Sequence, residues 1–391
     1  MHPLVILSLQ ASAALAAAIV KHGTAISTNS RDSTLALSLG SVGLTTTINS
    51  GVTYSMSGGS THNFFGNLNN SGTLLVSQTD YLSLIPLAGG MTSDWSGSGA
   101  ANGNLNNYAG ASISINDYGA ASGSTYAWNL NSMNNLGSLQ FCGRGDTGGS
   151  TYQLYCNTDC YNYGTLDYEQ YNNNLGATFT WRNFVIGTAA SNNIYNQGAF
   201  RLVNTVYHSV QNVLGNGCWV IDQGAALYLE DGSGINQNPS AGSTFANQNI
   251  YFVPGQTGSN TQTLHMDIQV YSHNSNFGPQ VYGFGKGMAI EFFETIKSQS
   301  YANSLLTVNF VSGNTVNIKI GSGYTASLSS IGNNPMTYNI IGYNAIRSSA
   351  AAPSQSVAST CQVSLAKCAP PSANLVASSS ASVSSMTSIS K

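Results

Sequence analysis

A glycine-marked turn followed by a short apolar run recurs along this chain and leaves little room for anything but strands. Residues 194–232, IYNQGAFRLVNTVYHSVQNVLGNGCWVIDQGAALYLEDG, hold three such runs in under forty positions: Ala199 to Val203, Cys218 to Ile221 and Ala226 to Leu229. Each follows a glycine (Gly198, Gly217, Gly224) with asparagine or glutamine close by. Glycine turns where a Cβ would clash, and the apolar, β-branched run after it suits a strand. No helix fits between the runs.

The unit also occurs upstream, at Asn70-Ser71-Gly72, Asn107-Tyr108-Ala109-Gly110, Asn135-Leu136-Gly137 and Asn162-Tyr163-Gly164. By their numbers, Gly72, Gly110, Gly137, Gly164 and Gly198 fall 38, 27, 27 and 34 residues apart. A period of roughly 20–50 residues marks a solenoid, in which each unit buries its apolar face only against its neighbours. Strands this short without helices point to a β-helix. Asn and Ser beside the turns can stack in hydrogen-bonded ladders along its axis.

Three phrases carry a family resemblance: GTLLVSQTD (72–80), NQGAFRLVNTVYHSVQNVLGNGCWVIDQGAALYLED (196–231) and IYFVPGQ (250–256). They resemble the N-terminal domain of the hyphally regulated cell-wall proteins, a family of yeast surface proteins grouped with adhesins. The likeness runs over residues 24–347 and is most specific in the 196–231 block. It implies a right-handed β-helix followed by a smaller β domain, displayed at the cell wall. It also implies a long Ser/Thr-rich stalk with a C-terminal lipid anchor.

Composition agrees with an extracellular chain. Charged residues are 6% of 391, against roughly 25% in an average globular protein, yet 42% are hydrophobic and 21 are tyrosine. Such a chain folds and presents a polar, uncharged surface suited to sugars or proteins. Nucleic acid is excluded, because the 11 basic residues are dispersed rather than clustered.

MHPLVILSLQASAALAAAIV reads as a secretory signal peptide, residues 1–18, cleaved near Ala18. In a secreted chain Cys142, Cys156, Cys160, Cys218, Cys361 and Cys368 suggest three disulfides with fifteen possible connectivities. Cys361 and Cys368 either pair together or tie the tail back to the domain. A zinc site at Cys142, Cys156 and Cys160 lacks a CxxC pair and histidines at ligand spacing, so no metal and no cofactor are expected.

The expected domains are a β-helix over 19–250, a small antiparallel sandwich-like β domain over 251–347 and a Ser/Ala/Thr-rich stalk or tail over 348–391. Within the first, residues 24–68 cap the coil and a loop at 142–160 protrudes from it, stapled by disulfides. Between 251 and 347 the strands are read at Leu264 to Tyr271, Met288 to Phe293, Leu305 to Val311, Val316 to Ile320 and Tyr338 to Ile341, with 290–294 open to a helical alternative. The tail stops at Lys391 before any stalk or hydrophobic anchor signal, which reads as a truncated chain or a freely secreted member. Attachment to wall glucan then requires an anchor beyond this sequence. Asn69, in Asn69-Asn70-Ser71, is the glycosylation candidate.

Catalysis finds little support. Asn157-Thr158-Asp159 matches one short motif of polygalacturonases, and Asp167 and Glu169 share a strand face. The Asp-Asp, Gly-His-Gly and Arg-Ile-Lys motifs of those enzymes are absent from the sequence. No complete G-x-S-x-G elbow occurs, and His62, His208, His265 and His273 read as surface or turn residues. Arg144-Gly145-Asp146 is the integrin-binding tripeptide, though its residues also make an ordinary turn.

Non-catalytic binding is the favoured reading. Tyr152, Tyr155, Tyr161, Tyr163, Tyr168 and Tyr171 concentrate around the loop and the rung after it, and aromatic faces stack on sugars or pack on proteins. The partners are then host or neighbouring-cell glycans or proteins, or abiotic surfaces. The competing reading is a structural coat that spaces or masks the surface without a ligand. A polysaccharide-cleaving β-helix is the remote third.

Overall fold

The computed structural model describes residues 19–21, 25–32, 36–57, 61–77, 92–95, 103–116, 125–143, 151–158, 160–170, 184–188, 194–209, 213–229, 247–255, 262–271, 276–324, 328–334, 343–363, 365, 366 and 368. Residues 1–18, read as a signal peptide, the Arg144–Asp146 tripeptide, Asp159, Tyr171, His273, the strand read at 338–341 and the end of the tail lie outside them.

The chain is all-β, with a single four-residue helical turn, Ile268–Tyr271, and one short 3-10 turn among the described residues. Its strands form a 19-stranded and a 13-stranded sheet. The pairing resolves into three parallel ladders. The first joins Thr125–Leu130, Thr151–Cys156, Phe184–Thr188, Val206–Ser209, Ala226–Leu229, Gln262–Met266 and Met288–Phe292. The second joins Asn104–Asn107, Ser132–Asn135, Cys160–Asn162, Ile194–Asn196 and Val213–Leu214. The third, the larger part of the 13-stranded sheet, runs from Ser30–Asp32 through Thr73–Ser77, Ser138–Gly143, Thr165–Gln170, Ala199–Val203, Cys218–Ile221 and Asn249–Phe252 to Asn276–Tyr282. From Thr92–Trp95 to Cys218–Ile221 the strands fall in chain order on the first, second and third ladder in turn, and from Ala226 to Phe292 the described strands alternate between the first and the third.

Near the start, two long strands each serve two ladders. Ala36–Ile48 and Thr61–Asn70 each pair on the first ladder by their first half and on the second by their second half, with a register shift between Gly40 and Thr45. The stretch expected to act as a cap pairs in parallel with the strands that follow it.

Glycine has a different reason here from the one expected. Ser112, Ser138, Thr165, Ala199 and Cys218 donate backbone N–H bonds to the carbonyls of Gly72, Ala111, Gly137, Gly164 and Gly198. Ala111, not Gly110, thus holds the repeat position, and Gly110 serves an extra-residue turn at φ +81°. At Gly137, Gly164 and Gly198 a Cβ would collide with the backbone of the preceding turn, so close approach, not turning, demands glycine.

Between the second and third ladders stands a buried amide column. Asn70 Nδ2 donates to Asn107 Oδ1 at 2.9 Å, Asn107 to Asn135 at 2.7 Å, Asn135 to Asn162 at 2.8 Å and Asn162 to Asn196 at 2.9 Å. Each of these four donors also reaches a backbone carbonyl on the third ladder, as at Thr165. The turn at 213–217 has no asparagine in place, and Gln248 reaches back to complete the column, accepting from Asn196 at 2.9 Å. Buried amides are tolerated because each is satisfied.

Inside the ladders, alternation turns every second residue inward. Phe141, Tyr168, Phe200 and Trp219 form a ring stack with centroids 5.0, 5.4 and 4.3 Å apart. Such pairs add about 0.5–1.5 kcal/mol each beyond area burial.

Beyond residue 250 the described strands continue the same two sheets, and no separate sandwich is formed among the described residues. Gln262–Met266 and Met288–Phe292 extend the first ladder in parallel, so residues 288–292 are strand, not helix. Antiparallel pairing enters only at the margin: Tyr343–Ser348 pairs with Met288–Phe292 and Leu328–Asn334, and Leu305–Phe310 pairs with Ile296–Ala302 and Thr315–Lys319. An alternating strand carries no mark of its partner's direction, which is why the pattern alone suggested a sandwich.

Candidate contact surface

The residue after each buried asparagine stands on an outer corner. Tyr108, Leu136 and Tyr163 occupy this position after successive strands of the second ladder and are 41%, 40% and 50% exposed. Beside them on the second ladder, the residue before each buried asparagine points outward, placing Tyr161 opposite Tyr195. Their rings stack at 4.6 Å, and Tyr161 also stacks on Tyr163 at 6.1 Å. Adjacent strands lie about 4.8 Å apart, so ring contact follows directly from the register. The result is an apolar, aromatic strip running along the ladder.

Its surroundings are uncharged amides. Asn104 Nδ2 donates to Asn67 Oδ1 at 3.1 Å, Asn131 Nδ2 to Asn104 Oδ1 at 2.8 Å and Asn106 Nδ2 to Asn69 Oδ1 at 3.0 Å. Asn69, the glycosylation candidate, is half-buried near the end of a strand rather than on a turn, with the turn beginning at Ser71.

The six tyrosines proposed from sequence do not act as one group. Tyr161 and Tyr163 belong to the strip. Tyr168 points inward, between Phe141 and Phe200, and burial pushes its hydroxyl well above the usual tyrosine range, so it offers no surface. Tyr152 and Tyr155 lie on Thr151–Cys156. Tyr108, Leu136 and Tyr195 were missed, although each sits one residue from a turn asparagine.

The paired acids lie on the opposite side of the third ladder from the core and are nevertheless buried. Arg201 donates through Nε and Nη2 to both oxygens of Asp167 at 2.9 and 2.8 Å, and Nη2 lies 3.5 Å from Glu169 Oε2. Burial alone would lower the guanidinium's pKa; the Asp167 hydrogen bond and the charges of Asp167, Glu169 and Asp222 outweigh it and hold the pKa above its ordinary value.

The C-terminal segment lies over this cluster. Arg201 Nη1 donates to Leu365 O at 3.1 Å, Gln140 Nε2 to Ala366 O at 3.0 Å, and the Cys368 N–H to Glu169 Oε2 at 2.9 Å. Disulfides Cys142–Cys368 and Cys218–Cys361 fix it to the ladder. The two tail cysteines thus tie back to the domain and do not pair together. Cys156–Cys160 closes the corner at Asn157 and Thr158, so only this pair staples the 142–160 loop on itself.

Two histidines read as surface residues are buried. His62 faces the core with no hydrogen-bond partner on either nitrogen among the described residues, and burial lowers its pKa to about 4. His265 stacks on Tyr228 at 4.7 Å and lies 3.7 Å from Glu291. Among the described residues no group of histidines, cysteines and acids is arranged to hold a metal.

Comparison with protein-family models matches residues 12–371 to the family described as hyphally regulated cell wall protein N-terminal. A comparison with curated proteins finds no match.

Proposed function

This chain belongs to the hyphally regulated cell wall protein N-terminal family and has its place at the cell-wall surface, and from that premise we propose that it is an adhesin-type contact domain. In this reading residues 1–18 direct secretion, the three ladders wind as a right-handed β-helix, and the outer corner meets glycans or proteins of host or neighbouring cells.

The observation that carries it is the exposed strip of Tyr108, Leu136 and Tyr163, flanked by Tyr161 and Tyr195 and set among neutral amides. Contiguous exposed apolar area with a polar rim marks interaction surfaces. Many copies on a wall turn weak contacts into firm attachment through effective concentration.

The function is non-catalytic. Asp167 and Glu169 both engage Arg201 beneath residues 365–368, which suits stability rather than attack on a glycosidic bond.

Beads coated with the purified protein, offered to mammalian cells, yeast cells, immobilised glycans and plastic, test the proposal. Adhesion to at least one of these above albumin-coated beads supports it. Adhesion to none indicates a coat without a ligand.

A further inference from the structure

An open crevice of about 540 Å3 lies between the third ladder and the C-terminal segment, within the range of small-molecule sites. Arg201, Val220, Asp222, Tyr251, Val357 and Val363 line it. Val220, Tyr251, Val357 and Val363 belong to an apolar cluster around the Cys218–Cys361 disulfide, so the roof is fixed to the floor.

Hydrogen-bonding capacity is left over inside it. Asp222 is only 5% exposed; its Oδ1 accepts the Gln223 N–H at 2.7 Å, and its Oδ2 accepts nothing from the described residues. Arg201 Nη1 spends one hydrogen on Leu365 O, leaving the other. The Tyr251 hydroxyl bonds to no described residue, and burial, then the nearby Asp222 charge, raise its pKa. Asp222 as a whole is nine-tenths buried while this free oxygen opens onto the crevice, so an occupant that donates to it takes the place of water there.

We infer that this crevice binds a neutral sugar residue. The occupant must give a hydrogen bond to Asp222 and accept one from Arg201. Adjacent hydroxyls of a pyranose do both, and its C–H face matches the valine walls and the Tyr251 ring. A primary ammonium supplies donors only and opposes Arg201; an anion opposes Asp222. The site is separate from the corner strip, so binding of free sugar persists in a strip variant that no longer adheres.

Saturation-transfer NMR on the whole protein, with the methyl glycosides of glucose, galactose, mannose and N-acetylglucosamine, tests the assignment. At least one glycoside is expected to bind. Asp222→Asn weakens it by about tenfold or more, the loss of a hydrogen bond to a charged group. Tyr251→Phe, which keeps the ring packed beside the Cys218–Cys361 disulfide and removes only the hydroxyl, weakens it less. Transfer to none of the four, or binding unchanged in both variants, overturns the inference. So does binding of butylamine, with none of the glycosides, that is abolished by Asp222→Asn.

Discussion

At the scale of single residues, Arg201 and His62 show two ways in which the fold tolerates a buried polar group, one matched by opposite charges and one kept neutral. Arg201 matches two carboxylates, so Arg201→Met leaves Asp167 and Glu169 buried together without a cation. A loss of about 3–5 kcal/mol is expected in urea unfolding. His62 is the neutral case. Its pKa is about 4 in the fold against an ordinary 6.5, so below pH 6.5 protons bind the unfolded chain in preference. Its contribution is complete above pH 6.5 and is lost as pH falls toward 4, by about 3 kcal/mol in total. His62→Leu is expected to flatten that part of the stability–pH profile relative to the parent chain; parallel profiles would show that the histidine is not buried neutral. Little of this was legible in the sequence. Asp167 and Glu169 were visible as two acids on one strand face, but the segment over them comes from 199 positions further on at Cys368, and no local pattern predicts it.

At the scale of elements, the corner between the second and third ladders is where sequence and structure meet most closely. The Asn-x-Gly signature announced turns and side-chain ladders, and both are present. Asn135→Ala removes the acceptor for Asn107 and the donor to Asn162 and Thr165, at about 1–3 kcal/mol for each buried group left unsatisfied. Gly164→Ala is expected to cost about 3 kcal/mol or more, since its Cβ meets the Gly137 carbonyl, whereas Gly110→Asn is tolerated better at a left-handed turn. Thermal melts of the three variants check the order. Gln248 escaped notice because it enters the amide column from the third ladder's side, out of the Asn-x-Gly frame. Tyr168 was misplaced although the signal existed: it shares parity with Leu166, and both turn inward.

For the whole molecule, repetition gave the stacking of short strands but not the closure of its end. Two disulfides with sequence separations of 226 and 143 hold the C-terminal segment on the third ladder. Removing such a link typically costs about 2–5 kcal/mol. Mild reduction is expected to raise amide exchange in residues 355–368 before the ladders open; simultaneous exchange everywhere would mean that segment and ladders unfold as one unit. Above these details stands the claim that the folded chain works by contact through its outer corner. Single-bead detachment force, compared between the parent and a Tyr108→Ser, Leu136→Ser, Tyr163→Ser variant of equal melting temperature, tests it directly. The account predicts that the variant loses most of the force on the surface the parent holds; equal forces for the two would contradict it.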